Sequence, residues 1–524
     1  MGGRHSDLFE ECKRGILVRQ RCQVDIDSNY FYRDIVGIEI NNNRRSSYVN
    51  KSGSIKIVNN DFNYVSDYGV ELWDNPMVYT YVYNNRFNIF NGFQFDPALE
   101  GKKGIYVHNS TKTKTMRENG ITSTISGNII KNFRFGIQVM NQEYGQIADN
   151  IITYEIPDSV LTYSSPVKRR GVHIQNSNNI SIASNYVSRV LNANSTLNTN
   201  TIQNPYNSSD STSLLSGYSE ELSNNIYKEN ITKNLPTSFR IAYNCMGSVI
   251  ECNSFENGIE GFKLEAGRIS DQGDTNYTNG NKWVNWNFNN ATRIGGSPQN
   301  PQIRWYWSAL NTTEEDPSPG TMFLPQGIQK IDLNYSSCNV NSCDNCSERL
   351  VRLIAIADTL SYDDELRYSI ENYVYRNIKD SLQLLNGGTV YPSNLQNFFT
   401  AMSLSKIAIL ANVDELLNNN DYATAYFTNT SLSADKLAEE NIQIINEICS
   451  KLHFNFEDMA DEVLMQLHSI AYQYPSIGGE AVYRARAILR LDIDDTELSY
   501  RMAELADEKS NSNRNHFIAY PNPT

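Results

Sequence analysis

The chain has 524 residues, with 59 acidic and 45 basic side chains and a formal net charge of -14. This length allows two or three domains, each with a core of its own. The acidic balance, with Lys and Arg scattered along the chain, argues against a nucleic-acid partner. No stretch approaches the roughly 18 consecutive apolar residues of a transmembrane helix, so no membrane span is predicted.

Charged residues make up only 20% of the chain, whereas Asn, Ser, Thr and the 32 Tyr residues are abundant. This polar but weakly charged composition predicts a secreted or outer cell-surface protein. The first residues, MGGRHSDLFEECKRG, contain no apolar stretch suited to a signal peptide. A secreted protein would therefore need further sequence upstream, and the alternative is a cytoplasmic location.

A repeat runs through the first half of the chain. Its unit is Asn-x-(Ile/Phe/Val/Thr), a short gap, a small residue and an apolar-polar-apolar triplet. The triplets indicate short strands, and strands repeated at this spacing can bury their apolar face only by stacking about 4.8 Å apart. The repeated asparagines are Asn29, Asn60, Asn85, Asn128, Asn150, Asn185, Asn230 and Asn253.

This repeat resembles the right-handed parallel β-helix family, the fold of pectate lyases, polygalacturonases and alginate-modifying enzymes. The resemblance covers roughly residues 15–295 and indicates the fold more strongly than the function, because unrelated activities share this scaffold. We interpret the repeated Asn as corner residues in the left-handed backbone conformation whose amides form a ladder between turns. The predicted fold class is mainly β, with residues 1–295 as a right-handed parallel β-helix followed by an α-helical bundle.

The middle residues of the triplets predict a column on the outside of one sheet, facing solvent. Its basic end, flanked by Lys168, Arg169 and Arg170, predicts a binding site for an acidic extracellular polysaccharide or other cell-surface material. The simpler interpretation is that solvated strand positions carry polar residues of any kind. From one end to the other the column contains Glu39, Glu71, Gln94, Gln138, His173, Arg240 and Lys263.

The same column allows an alternative, catalytic interpretation. A uronate lyase needs a base that removes the C5 proton and a cation that neutralises the carboxylate. Lys263 or His173 could be that base, and Arg240 the neutralising group. The segment NGIEGFKLEAGR, residues 257–268, is similar to one motif of alginate and chondroitin lyases, but the partner motifs of that family are absent.

Other catalytic signatures are also absent from the sequence, among them HExxH, GxSxG, a phosphate loop and the polygalacturonase motifs. No catalytic residue, metal ligand or cofactor is therefore assigned. The segment DQGDTNYTNGNKW, residues 271–283, has oxygen-bearing side chains at close spacing, and a calcium loop is a minor alternative to an ordinary turn.

Residues 296–346 lose the repeat and are predicted to form a connector. The sequence CNVNSCDNC at its end contains Cys338, Cys343 and Cys346. Thiolates at such spacing can share a zinc ion, but there is no second CxxC and no nearby His, so disulfides are favoured.

From residue 347 to residue 508 the apolar residues recur at i, i+3, i+4 and i+7, which predicts amphipathic helices in a bundle. Residues 509–524 are polar and end in YPNPT. This tail resembles the first strand of the C-terminal sorting domain found in proteins of the type IX secretion system. The resemblance implies a partner in the secretion machinery and a place outside the cell.

Three functions follow from these patterns. The first is a non-catalytic β-helix protein that binds glycans or other surface material, because no complete catalytic constellation is present. The second is a polysaccharide lyase acting on uronate polymers. The third is a partner-docking role for the helical region, with the β-helix as a spacer.

Overall fold

The structure is a computed structural model in which nearly all of the β-helix rungs and most of the helical region are described. The described residues are 8–19, 23–41, 54–73, 79–88, 101–109, 124–156, 168–190, 215–258, 260–275, 278–284, 290–295, 303–308, 328–333, 346–359, 365–380, 393–453, 459–489, 491 and 493.

The first part of the chain is a parallel β-helix, which confirms the prediction of stacked parallel strands. The chain visits three sheets in turn, and every pairing between strands of these sheets is parallel. In hydrogen-bonding order, sheet A contains β1 (Leu8–Glu10), β4 (Tyr30–Tyr32), β7 (Asp61–Asn63), β10 (Arg86–Asn88), β13 (Ile129–Lys131), β16 (Ile151–Tyr154), β19 (Tyr186–Arg189), β22 (Ile231–Lys233), β25 (Ser254–Glu256) and β27 (Lys282–Val284).

The other two sheets have longer strands. Sheet B contains β2 (Arg14–Arg19), β5 (Val36–Asn41), β8 (Tyr68–Trp73), β11 (Gly101–His108), β14 (Phe133–Met140), β17 (Arg169–Gln175), β20 (Leu215–Glu221), β23 (Thr237–Cys245), β26 (Glu260–Ile269) and β28 (Asn290–Gly295). Sheet C contains β3 (Gln23–Asp27), β6 (Ser54–Val58), β9 (Tyr79–Tyr83), β12 (Thr124–Ser126), β15 (Glu143–Ala148), β18 (Asn178–Ala183), β21 (Asn224–Lys228) and β24 (Val249–Glu251).

A further parallel pair follows the last rung, formed by β29 (Ile303–Trp307) and β30 (Ile328–Asp332). It lies inside the stretch that the sequence assigns to a connector. The Trp305 ring is fully buried, with its centre 5.7 Å from Phe262 and 5.8 Å from Trp283. This tryptophan therefore covers apolar side chains of the last rungs.

The interior of the β-helix is filled by side chains that stack from rung to rung. Phe31, Phe62 and Phe87 lie almost parallel, with ring centres 4.6 and 4.5 Å apart. Further along, the glycines of sheet B hold the rungs close, because a Cβ on Gly136 would lie 2.6 Å from the carbonyl oxygen of Gly171. A small residue is needed there for close backbone approach. Gly136 lies inside β14, three residues after its first residue.

The repeated asparagines form a ladder at the corner between sheets C and A. In each rung the backbone N–H and the Nδ2 of one Asn donate to the Oδ1 of the next, at 2.9 to 3.1 Å. Asn281, which does not belong to the predicted set, extends the ladder beyond Asn253.

The assignment of the left-handed conformation to these asparagines is wrong. The residue before each of them adopts it instead, with φ between 54 and 66°. The turn is made one residue earlier because the ladder amide must point along the helix axis to reach the next rung. The left-handed residues are Ser28, Asn59, Asn84, Gly127, Asp149, Ser184, Glu229 and Cys252.

The C-terminal part of the described chain is helical, as predicted. The Ser405 hydroxyl caps one helix by accepting from the Ala408 N–H, and Asp421 caps the next through Thr424. The helices are α1 (Cys346–Asp358), α2 (Glu365–Asp380), α3 (Ser393–Met402), α4 (Lys406–Asn418), α5 (Tyr422–Thr430), α6 (Leu437–Leu452), α7 (Asp461–Ala471), α8 (Pro475–Gly478) and α9 (Glu480–Leu489). Among the described helices, none combines the length and apolarity needed to cross a membrane.

In the described part of the chain, Cys12 and Cys245 are not joined by disulfides. Burial, with the nearby Glu220 as a smaller cause, raises the pKa of the Cys245 thiol well above its usual value. Cys338 and Cys343, for which disulfides are predicted, lie outside the described residues, as does the tail with YPNPT.

We expect the asparagine ladder to contribute several kcal/mol to folding. The Asn150 Oδ1 accepts two bonds from Asn128, and its Nδ2 donates to the carbonyl oxygens of Ile125 and Ala148. Asn150→Ala leaves these buried groups unpaired at about 1–3 kcal/mol each. Urea unfolding should show a loss of at least about 3 kcal/mol, whereas Asn63→Ala, on the outer face of sheet A, should change stability by less than about 1 kcal/mol.

Candidate functional site

The predicted column lies on the outer face of sheet B. Gln94 is outside the described residues, and the strand register places Tyr106 between Glu71 and Gln138. Ser219 also belongs to the column, between His173 and Arg240. The members in register are Glu39, Glu71, Tyr106, Gln138, His173, Ser219, Arg240 and Lys263.

Tyr106 and Ser219 escape the sequence pattern for different reasons. The triplet Ile-Tyr-Val after Gly104 has the expected form, but its distance from the preceding repeated Asn is too long to suggest the match. The triplet around Ser219 ends in the buried Glu220, where the pattern requires an apolar residue. A search for Gly followed by alternating residues, without the Asn, would have found Tyr106.

The prediction that this column faces solvent is wrong. The exposed fraction is 5% for His173, 1% for Arg240 and 2% for Lys263. The His173 ring packs against Phe135 at 5.5 Å, and the two cations lie beside carboxylates of their own sheet. Alternation in the sequence shows that these side chains leave the core, but it does not show what covers the outer face.

A chain of hydrogen bonds joins four strands across this face. The Gln138 Nε2 donates to the Gln175 Oε1 at 2.9 Å, and the Gln175 Nε2 donates to the Glu221 Oε2 at 3.0 Å. Arg240 donates through Nη1 to the Glu221 Oε1 at 2.7 Å and to the Ser219 hydroxyl at 2.9 Å. Both oxygens of the carboxylate are therefore occupied by partners on neighbouring strands.

The charge of Glu221 is stabilised by this arrangement. Burial opposes its ionisation, but Arg240 and His173, with the two hydrogen bonds, outweigh burial and hold the pKa of Glu221 below its usual 4.5. Glu221 is therefore ionised at neutral pH and compensates the charge of Arg240. A polyanion approaching this face would meet a cation that already has a carboxylate partner.

The remaining predicted cations are also enclosed. The Lys263 Nζ lies 3.9 Å from Glu260, which also accepts a hydrogen bond from the Thr237 hydroxyl at 3.1 Å. Arg169 and Arg170 are 0% and 3% exposed on β17, and the Arg170 guanidinium donates to the Arg169 carbonyl oxygen at 3.0 Å. Lys168, just before this strand, is half-buried.

An aromatic cluster that the sequence did not predict lies at the other end of the same face. Trp73 meets His108 edge to face at 4.5 Å, and the Tyr106 hydroxyl lies 2.6 Å from the His108 Nδ1. The Lys103 ammonium lies 3.6 Å from the centre of the Tyr106 ring. Tyr483 of α9 packs into this cluster and is fully buried.

The helical region and the β-helix each insert a side chain into an apolar cluster of the other. Tyr483 enters the aromatic cluster on sheet B, and Met246, just after β23, enters the apolar core of the first helices. Asn244 donates to the Ser369 hydroxyl at 2.8 Å, which adds a polar contact between the two parts. The helical region is therefore packed on the β-helix and is not an appendage on a linker.

Arg376 lies in an acidic surrounding close to this contact. It pairs with Asp414 at 2.7 Å and lies 3.7 Å from Glu480, and Glu143 of sheet C acts on it from the β-helix. Burial alone would lower the pKa of Arg376, but these three carboxylates raise it above its ordinary value. Arg484 shares Asp414 at 3.2 Å, so the carboxylate serves two cations.

The segment of residues 271–283 has a structural role in its described part. The Asp271 carboxylate accepts two bonds from Arg304, both at 2.8 Å. The Gln272 Oε1 accepts from the Ile250 N–H, and Asn281 extends the asparagine ladder. Among the described residues, no group of three or more His, Cys, Asp or Glu is arranged to hold a metal ion.

Comparison with protein-family models, with curated proteins and with solved structures gives no match for this chain. The function is therefore inferred from the residues and their geometry.

We expect Glu221 to make the stability of the protein dependent on acid pH. Because its folded pKa lies below 4.5, its contribution is present above that value and disappears as the pH falls through the folded pKa. Glu221→Gln should cost about 3–5 kcal/mol at neutral pH by leaving Arg240 buried without its carboxylate. The difference in the free energy of unfolding between Glu221→Gln and the unaltered protein should become smaller in acid. Urea unfolding from neutral pH down through the folded pKa measures this change.

The matched control is Glu229→Gln, an exposed carboxylate on the following corner. It should leave the stability nearly unchanged at every pH. An equal pH dependence in the two variants would contradict the assignment to Glu221.

Proposed function

We propose that this protein is a non-catalytic, secreted or cell-surface β-helix protein that binds glycans or other surface material. The observation that supports a non-catalytic role is the enclosure of the column on sheet B. Arg240 is buried and bonded to Glu221 at 2.7 Å, and Lys263 is buried 3.9 Å from Glu260. A lyase base must reach the substrate proton, and a neutralising cation must reach its carboxylate.

The proposal also includes the type of β-helix and the route of export. The repeat is that of the right-handed β-helix with a pectate-lyase-like rung, and the tail YPNPT supports export through the type IX system. Support for an extracellular site also comes from the composition, in which uncharged polar residues and tyrosine dominate.

Incubation with alginate, pectate and chondroitin distinguishes this proposal from a uronate lyase. We expect no rise in the ultraviolet absorbance that unsaturated products cause, because the predicted base and cation are enclosed. Sedimentation with insoluble polysaccharides should still detect binding. Product formation that disappears in Lys263→Ala, with the fold verified by circular dichroism, would overturn the non-catalytic assignment.

Export is tested in a bacterium with an intact type IX system. The protein expressed from its native gene should appear at the cell surface or in the medium, and should stay inside a strain that lacks the secretion channel. Deletion of the region from YPNPT onward should have the same effect as loss of the channel. Equal export by both strains would exclude this route.

A further inference from the structure

The outer face of sheet A carries a partly exposed row of side chains, separate from the column on sheet B. The row contains Tyr30, then Asp61 and Arg86 on the next two strands, and then Ile129, Ile151, Tyr186 and Ile231 on four successive strands in register. Ile151 is 42% exposed, and Tyr30, Ile129, Tyr186 and Ile231 are half-buried. Since strands are spaced by about 4.8 Å, the five steps from Tyr30 to Tyr186 span about 24 Å.

Tyrosine occupies both ends of this span. Tyr30 and Tyr32 point outward from β4 and lie nearly parallel, with ring centres 6.3 Å apart. Tyr64 meets Tyr32 edge to face at 5.6 Å, which holds the pair in place. A tyrosine ring offers an apolar surface and a hydroxyl at its edge, the combination suited to a ligand with apolar and hydroxylated faces.

The charges along this face from Tyr30 to Glu256 are matched by charges of opposite sign, and the exposed Lys282 on β27 lies beyond them. Asp61 and Arg86 are neighbours in register on β7 and β10. In the parallel row, Lys131 lies 3.9 Å from Glu155, and Lys233 lies 3.3 Å from Glu256. A face with paired charges provides no net attraction for a polyanion, so it is complementary to an uncharged polymer.

We infer that the outer face of sheet A, called here the sheet A track, binds an extended neutral polysaccharide lying along the helix axis. The inference rests on the proposed glycan-binding function and names its surface and ligand class. The straight, regularly spaced row matches a linear polymer of repeating rings. Tyr30, Tyr32 and Tyr186 stack on sugar rings, and Ile129, Ile151 and Ile231 contact their apolar faces.

A second copy of the chain is a poorer occupant of this face. The five half-buried side chains of the track, together with Ile151, expose less than about 450 Å² at about 200 Å² for each side chain, whereas a stable interface needs about 800 Å² from each partner. The outer face of sheet C has a different chemistry. The row in register there runs Asp25, Lys56, Tyr81 and Thr124, so it begins with two charged residues and contains a single tyrosine among these four.

The test is affinity electrophoresis of the full chain in gels containing hydroxyethyl cellulose or laminarin as neutral polymers, and alginate or polygalacturonate as acidic ones. The variants are Tyr186→Ala, Tyr30→Ala combined with Tyr32→Ala, and Ile151→Thr, which keeps a β-branched residue in the strand. The matched control is Tyr83→Ala, because Tyr83 is 40% exposed at the end of β9 in sheet C.

We expect the unaltered protein to be retarded by a neutral polymer and each tyrosine variant of the track to bind about tenfold more weakly. Tyr83→Ala should bind as well as the unaltered protein. Circular dichroism and thermal melting show whether each variant is folded, and Ile151→Thr provides a milder change if a tyrosine variant is not.

Three results would overturn the sheet A track while leaving glycan binding intact. These are retardation by acidic polymers alone, an equal loss in Tyr83→Ala, and full binding by all the track variants. A dimer of the unaltered protein that Tyr186→Ala converts to a monomer would also overturn it, by identifying a self-association surface. Absence of binding to every polysaccharide would overturn both this inference and the glycan-binding part of the proposed function.

Discussion

The amide of an asparagine side chain at the corner between sheets C and A is the contact on which the β-helix depends. Each amide bonds to backbone groups of its own rung and of the preceding rung and donates to the amide oxygen of the next, so the polar groups of this buried corner are paired. The geometry fixes the rung spacing, and that spacing brings the phenylalanines of sheet A into contact and leaves room only for glycine at Gly136. The flat outer faces follow from the same regular spacing.

The polar column on the outer face of sheet B is buried rather than exposed to solvent. Its polar side chains are linked through Gln175, Glu221 and Arg240, and Tyr483 of the helical region is inserted at the aromatic end. Buried hydrogen bonds of this kind select one arrangement of side chains, because any unpaired member is costly in a medium of low dielectric constant. This face therefore contributes to the integrity of the molecule, and we propose recognition on the partly exposed face of sheet A.

The sequence predicted the fold because the repeat is local. The asparagines, the small residues and the triplets lie within one rung, and their spacing specifies stacked parallel strands without knowledge of distant contacts. The column was placed on the correct face of sheet B for the same reason. Its burial was not predictable, because it depends on contacts such as that of Tyr483 with Tyr106, which join residues far apart in the chain. The left-handed corner residues were misplaced by one position, because Asn suits both the turn and the ladder.

The ladder also gives the β-helix a direction. The bonds from amide to amide all run toward the C-terminal rungs, from Asn29 to Asn281, so the two ends of the stack present different chemistry. At the last step the donors of Asn281 turn back to Asn279 of the same segment, at 3.0 and 3.2 Å. The asparagine ladder therefore ends within its own segment of the chain. Duplication of an internal rung would preserve every such junction, so the length of this solenoid can change in evolution by whole turns without a new corner.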